Sequence, residues 1–229
     1  MSAPDPQPAA PSAPSSADPI DEVAGPSPAD VVRRLLDGPR PLPLVTAGHP
    51  VLRHPAAPYD FGLLPELFAE LIDAMRETMH AAPGVGLAAP QIGLGLAVAV
   101  LEDSAPVPDE VAAARDRHPL PFRVIVNPTY EAVGNERAAW YEGCLSVPGY
   151  QAVVDRAARV RLRCQDETGA MVDEEVAGWA ARIVAHETDH LNGTLYLDRA
   201  VLRSLATHQA TAAWWGGPDL IPARVALGF

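Results

Sequence analysis

Hydrophobic positions first become periodic near residue 30. Asp30-Val31-Val32-Arg33-Arg34-Leu35-Leu36 reads as a short helix, stopped by Gly38 and the proline-rich run after it. The clearest amphipathic segment covers 64–82, where Leu67, Leu71, Ala74, Met75 and Met79 recur at helical spacing. Pro65 opens it, Pro83-Gly84 ends it, and its methionines are read as core packing. An apolar run at 96–101 has strand length, 102–121 is a looser proline-bearing insertion, and 122–126 is a second strand. Strand patterns follow at 137–141, 151–154 and 158–164 and, past the turn Asp166-Glu167-Thr168-Gly169, at 171–176. A helix then spans 177–191, ended by Asn192-Gly193, and a further helical pattern begins near Asp198. Strands joined by short turns, with helices grouped apart, predict an α+β fold.

Composition sets the limits of the domain. Residues 1–27 are mostly Pro, Ala and Ser with little to bury, which predicts a disordered tail. A catalytic domain is expected over 28–210, and 211–229, with the unexplained Trp214-Trp215 pair, is read as a C-terminal extension packing on it. The formal net charge is −12 and every basic residue is Arg, so direct nucleic-acid binding is not expected. Arg159, Arg161 and Arg163 alternate along one strand and are read as a solvated face. No run reaches the roughly 20 apolar residues of a membrane helix. The N-terminus resembles neither a secretory signal nor an Arg-rich transit peptide, and two cysteines do not make a disulfide scaffold; the cytoplasm is the expected location.

The chemistry concentrates at His186-Glu187-Thr188-Asp189-His190. Two histidines four apart on a helix share a face, so both rings can bind one ion, with Glu187 beside them to exchange protons with water. Trp179 and Ile183 lie on the same face and make it otherwise apolar. A catalytic ion usually has three protein ligands. A third histidine in the extended HExxHxxGxxH pattern is missing, because Tyr196 stands there, and downstream acids are nearly absent. The third ligand is therefore sought upstream in Glu142-Gly143-Cys144-Leu145-Ser146, where a thiolate would suit a transition metal.

Those two strings and Gly84-Val85-Gly86-Leu87-Ala88-Ala89-Pro90-Gln91 occur in an order and spacing that resemble the three motifs of peptide deformylases. The resemblance implies antiparallel β-sheets packed around a central helix that carries the HExxH motif. It implies that Cys144, His186 and His190 bind one divalent transition metal, Fe2+ by expectation, with Zn2+, Ni2+ or Co2+ as substitutes. It further implies that water attacks the formyl group of nascent formyl-methionyl polypeptides, with Glu187 as acid and base, and that the Gln91 side chain and the Leu145 N–H stabilise the developing oxyanion. Gly84, Val85 and Gly86 line an extended peptide, and Ile183 is a candidate wall of the methionine pocket. Transient proximity to the ribosome would follow from such a substrate.

One position departs from the family: Ala185 stands where Gln usually precedes the first metal histidine. Asp189 and Arg156 are the candidate pair supporting the ligands from behind. Two other readings remain, a zinc peptidase acting on another amide and a degenerate metal-binding module; the acid Glu187 beside only three ligands favours catalysis.

Overall fold

The computed structural model describes residues 27–229; the predicted tail, apart from Ser27, lies outside them. Ser27 caps the first helix, α1 (Pro28–Leu36), by accepting from the Asp30 N–H. Helix α2 (Pro65–Ala81) buries Phe68, Leu71, Ile72, Met75 and Met79, so the predicted methionine stripe is core. The Gly84 N–H closes its C-terminus on the Met79 carbonyl at 2.9 Å.

Among the described residues, eight strands form two antiparallel sheets. One has the order β1 (Gly86–Ala88), β2 (Val98–Asp103), β3 (Leu120–Ala132), β6 (Arg159–Gln165) and β7 (Met171–Ala177). The other joins β4 (Arg137–Cys144), β5 (Val147–Ala157) and β8 (Ala200–Thr207). The architecture is therefore α+β with antiparallel sheets, as the pattern predicts. Helix α4 (Gly178–Leu191) packs Ala181, Ile183, Val184 and Leu191 into one core cluster with Leu101, Ile125 and Leu162 of the larger sheet.

Two expectations are corrected. The insertion at 102–121 is not merely loose, since it contains a short helix, α3 (Asp109–Arg115). The segment after Asp198 is not a helix but the strand β8, paired antiparallel with β5. Its leucines mislead because they face outward: Leu202 and Leu205 are exposed while Ser204 is fully buried. Ser204 Oγ accepts from the Val153 N–H at 2.7 Å, so the pairing with β5 overrides local helical spacing.

Beyond β8, α5 (His208–Ala210) runs into a π-helical turn, Thr211–Trp215, and α6 (Ile221–Leu227) follows. Leu220 and Ala223 pack on Tyr141 and Val153, with Trp215 against them, whereas Trp214 is exposed. The arginines of β6 lie on an acidic sheet face: Arg159 pairs with Glu175, Arg161 with Asp173, and Arg163 with Glu131 and Asp173.

Candidate metal centre

Helix α4 puts His186 and His190 one turn apart, with ring centroids 5.0 Å from each other. The end of β4 brings Cys144 to them from the other sheet, and its Sγ lies 3.2 Å from His190 Nε2. One ligand atom from each of Cys144, His186 and His190 falls within 4.8 Å of the other two. Thiolate and imidazole together suit a divalent transition ion, and the convergence of all three in a sheltered corner fits one. Both cysteines are free thiols.

A charged lattice behind the ligands fixes them. His186 Nδ1 lies 3.0 Å from Glu142 Oε2, which leaves the other ring nitrogen for an ion. Arg156 grips Glu142 with Nε at 2.6 Å and Nη2 at 2.9 Å, and reaches Asp189 with Nη1 at 2.8 Å. Arg182 also donates to Glu142. Asp189 accepts from Arg199 at 2.7 and 2.8 Å and from the Tyr130 hydroxyl at 3.0 Å. The Asp189–Arg156 pair singled out from sequence is thus made. Glu142, the centre of the lattice, had no assigned role. Its place beside Cys144 is the one signal that sequence offers, because its partners are all distant in the chain.

Burial works against each charge here. It opposes ionisation of Glu142, but hydrogen bonds from His186 and Arg156 outweigh it and hold the carboxyl well below its usual range. Burial, with His186 and Arg156 nearby, keeps His190 neutral, the form a ligand needs. Glu187 has no hydrogen-bonded cation, and burial pushes its carboxyl up to about 7. Its Oε2 is buried without a hydrogen-bond partner among the described residues, as is His190 Nδ1. Gly86 makes room for this carboxylate, since a Cβ there would meet the Glu187 side chain.

Gln91, in a 3-10 turn after β1 (Ala89–Ile92), is oriented by the Ala88 N–H, which donates to its Oε1 at 2.9 Å. Its Nε2 is thereby turned toward Cys144 Sγ at 3.6 Å and Ser146 Oγ at 3.4 Å. Cys144, His186, Glu187 and Gln91 face a cavity of about 510 Å3. Gly84, Val85, Gly86, Gln91, Cys144, Leu145, Ile183, His186 and Glu187 line it, so nine of the ten residues expected to act as catalytic groups, ligands or substrate contacts meet there; His190 is buried and does not line it. The cavity also takes Arg115 and Arg117 from the insertion, Tyr141 and Gln151 from the smaller sheet, and His208, Thr211 and Trp215 from the C-terminal segment. No local motif in the sequence marks any of these as a cavity residue.

The family model for polypeptide deformylase matches residues 41–205. The chain belongs to the peptide deformylase family. It is 64% identical over 201 residues to peptide deformylase 3 of Streptomyces avermitilis, covering 88% of this chain and 90% of that protein. Peptide deformylase 1 of Streptomyces coelicolor is also 64% identical over 201 residues, covering 88% and 92%. Among solved structures, a class I type b peptide deformylase from Acinetobacter baumannii bound to Met-Ala-Ser has a TM-score of 0.62 at 36% identity, covering 69% of this chain and 97% of that one. A Synechococcus elongatus peptide deformylase in complex with actinonin has a TM-score of 0.60 at 34% identity, covering 71% and 80%. Peptide deformylases are hydrolases, and the thiol–imidazole cluster gives this one a site of the kind a metal-dependent hydrolase needs.

Proposed function

We propose that this chain removes the formyl group from the N-terminal formyl-methionine of nascent polypeptides, releasing formate. The observation that carries the reading is the approach of Cys144, His186 and His190 within 4.8 Å, beside a buried carboxylate and an open cavity. The Met-Ala-Ser peptide on the Acinetobacter relative supports the choice of substrate.

Cys144, His186 and His190 hold the ion, and Fe2+ is the choice the resemblance favours. When bound, the ion supplies a Lewis acid that acidifies water and draws charge from the formyl oxygen. Glu187 takes the proton as water attacks the formyl carbon. It then delivers that proton to the amine nitrogen as the carbon–nitrogen bond breaks. Burial favours the protonated form of this carboxyl, which helps it keep the proton it takes until the amine leaves. Gln91 Nε2 and the Leu145 N–H donate to the oxygen on which negative charge grows. The peptide lies extended along Gly84-Val85-Gly86, and Ile183 walls the methionine side chain. Helix α4 then serves as the central metal-bearing helix between the two sheets.

The division into a tail (1–27), a catalytic domain (28–210) and an extension (211–229) is part of the same reading. Trp215 at the cavity makes that extension a wall of the site as well as a packing element. A cytoplasmic location and transient proximity to the ribosome are part of the same proposal; among the described residues no helix is long and apolar enough to cross a membrane.

The test is anaerobic loading with iron, followed by measurement of formate release from a formyl-methionyl peptide. Wild type turns over, while Glu187→Gln keeps its metal and loses about 10²- to 10⁴-fold in rate. Fully metallated wild type that releases no formate would overturn the proposal in favour of a degenerate module.

A further inference from the structure

Three arginines line the catalytic cavity, and two are spoken for. Arg117 is paired with Asp103 at 2.7 Å and Arg182 with Glu142. Arg115 has no carboxylate partner, and its Nε is buried with no hydrogen-bond acceptor among the described residues. Its guanidinium carbon lies 5.3 Å from the ring centroids of both Trp140 and Trp179. Rings can shelter a cation, but they do not accept the in-plane Nε–H. A donor left unmet in a buried place is costly, so the geometry favours any ligand that brings an acceptor there.

Its depth indicates which part of the ligand that is. Trp179, Ile183 and His186 share one face of α4, and Trp179 stands about 10 Å along the axis from His186. A formylated residue whose formyl carbon lies beside His186 and whose side chain runs past Ile183 ends near the level of Trp179, where Arg115 waits. Ile183 and Trp179 give that stretch an apolar side, and of the three arginines near the Trp179 ring Arg115 alone has no carboxylate partner among the described residues.

Resting on the deformylase reading, we infer that Arg115 closes the first side-chain pocket and donates to an acceptor at the tip of that side chain. The enzyme therefore also accepts formyl-methionine sulfoxide. A thioether sulfur is a weak acceptor, whereas the sulfoxide oxygen is a strong one. A wholly apolar pocket rejects the sulfoxide because its oxygen loses water and gains nothing. Arg115 returns that hydrogen bond. The sulfoxide itself is unchanged by the reaction, in which water adds across the formyl carbon–nitrogen bond. Oxidised nascent chains would thus still be deformylated.

The experiment compares iron-loaded wild type, Arg115→Met and Arg115→Gln on four peptides: formyl-Met-Ala-Ser, its sulfoxide, formyl-norleucyl-Ala-Ser and formyl-Met-Asp-Ser. The readout is the ratio of kcat/KM for sulfoxide over norleucine, which is insensitive to the fraction of folded enzyme. That ratio should fall at least about tenfold in Arg115→Met and less in Arg115→Gln, which keeps a donor. The same ratio in all three proteins would overturn the inference while leaving the deformylase reading intact. So would an Arg115-dependent preference seen only with formyl-Met-Asp-Ser, because that places the donor against a later residue. No formate from any peptide with wild type would end both.

Discussion

A β-carbon on residue 86 would lie 2.2 Å from Oε1 of Glu187. Strand β1 and helix α4 approach so closely there that the acid occupies the volume of the missing side chain. Gly86→Ala must therefore displace the carboxylate. Turnover should fall about 100-fold, the typical cost of moving a reacting group by an ångström, while the far-UV circular dichroism stays unchanged. Formate release at saturating and low peptide separates this from a binding defect, and an undiminished kcat would show that Glu187 can retreat freely.

Gln91 is held by the Ala88 N–H so that its amide nitrogen points at the cluster. Gln91→Ala should lower kcat about 10²- to 10³-fold with little change in KM, because the lost donor acts on charge present only in the transition state. A rise in KM alone would assign Gln91 to substrate binding instead.

Arg156 is buried between Glu142 and Asp189 and bridges both. Arg156→Met leaves two buried carboxylates without it, and should cost about 3–5 kcal/mol in urea denaturation. Arg156→Lys should rescue little, since one ammonium cannot reproduce the fork to Glu142 while reaching Asp189.

Acid sensitivity should be traceable to Glu102. Hydrogen bonds from Arg76, and then from His80, outweigh burial and hold its carboxyl below the ordinary value. The folded pKa is thus lower than the unfolded one, so the stabilisation is complete above the unfolded value and fades as pH falls through the folded one. Wild type should exceed Glu102→Gln by about 1 kcal/mol at pH 7, and the gap should close in acid. Denaturation curves of both proteins at neutral pH and near pH 3 decide it; a gap independent of pH refutes it.

Chelation should abolish turnover while leaving the secondary structure intact. Cys144, His186 and His190 are carried by β4 and α4, which the lattice around Glu142 and Asp189 already joins. Circular dichroism and formate release on the same chelated sample test this, and loss of the helical signal would count against it.

Much of the site was legible because its chemistry is written in short strings. The two histidines and Glu187 of the cluster follow from spacing on one helix, and Cys144 from the search for a third ligand. The helix α2 was legible because its core stripe repeats regularly. Strand β8 was not, because Leu202 and Leu205 face outward and their spacing imitates a helix, while the buried position falls to Ser204. The prolines of the insertion hid α3. Glu142, Arg115 and Trp215 could not be placed at the site, because each owes its role to partners far along the chain.

The Glu142–Arg156–Asp189 lattice has a consequence for the life of the enzyme. It spans β4, β5 and α4, so the three ligands are gathered by the protein's own charges rather than by their cargo. A site emptied of its divalent ion would therefore keep the shape that fits one. Reloading then needs only a fresh cation, and damage to the cofactor does not condemn the chain.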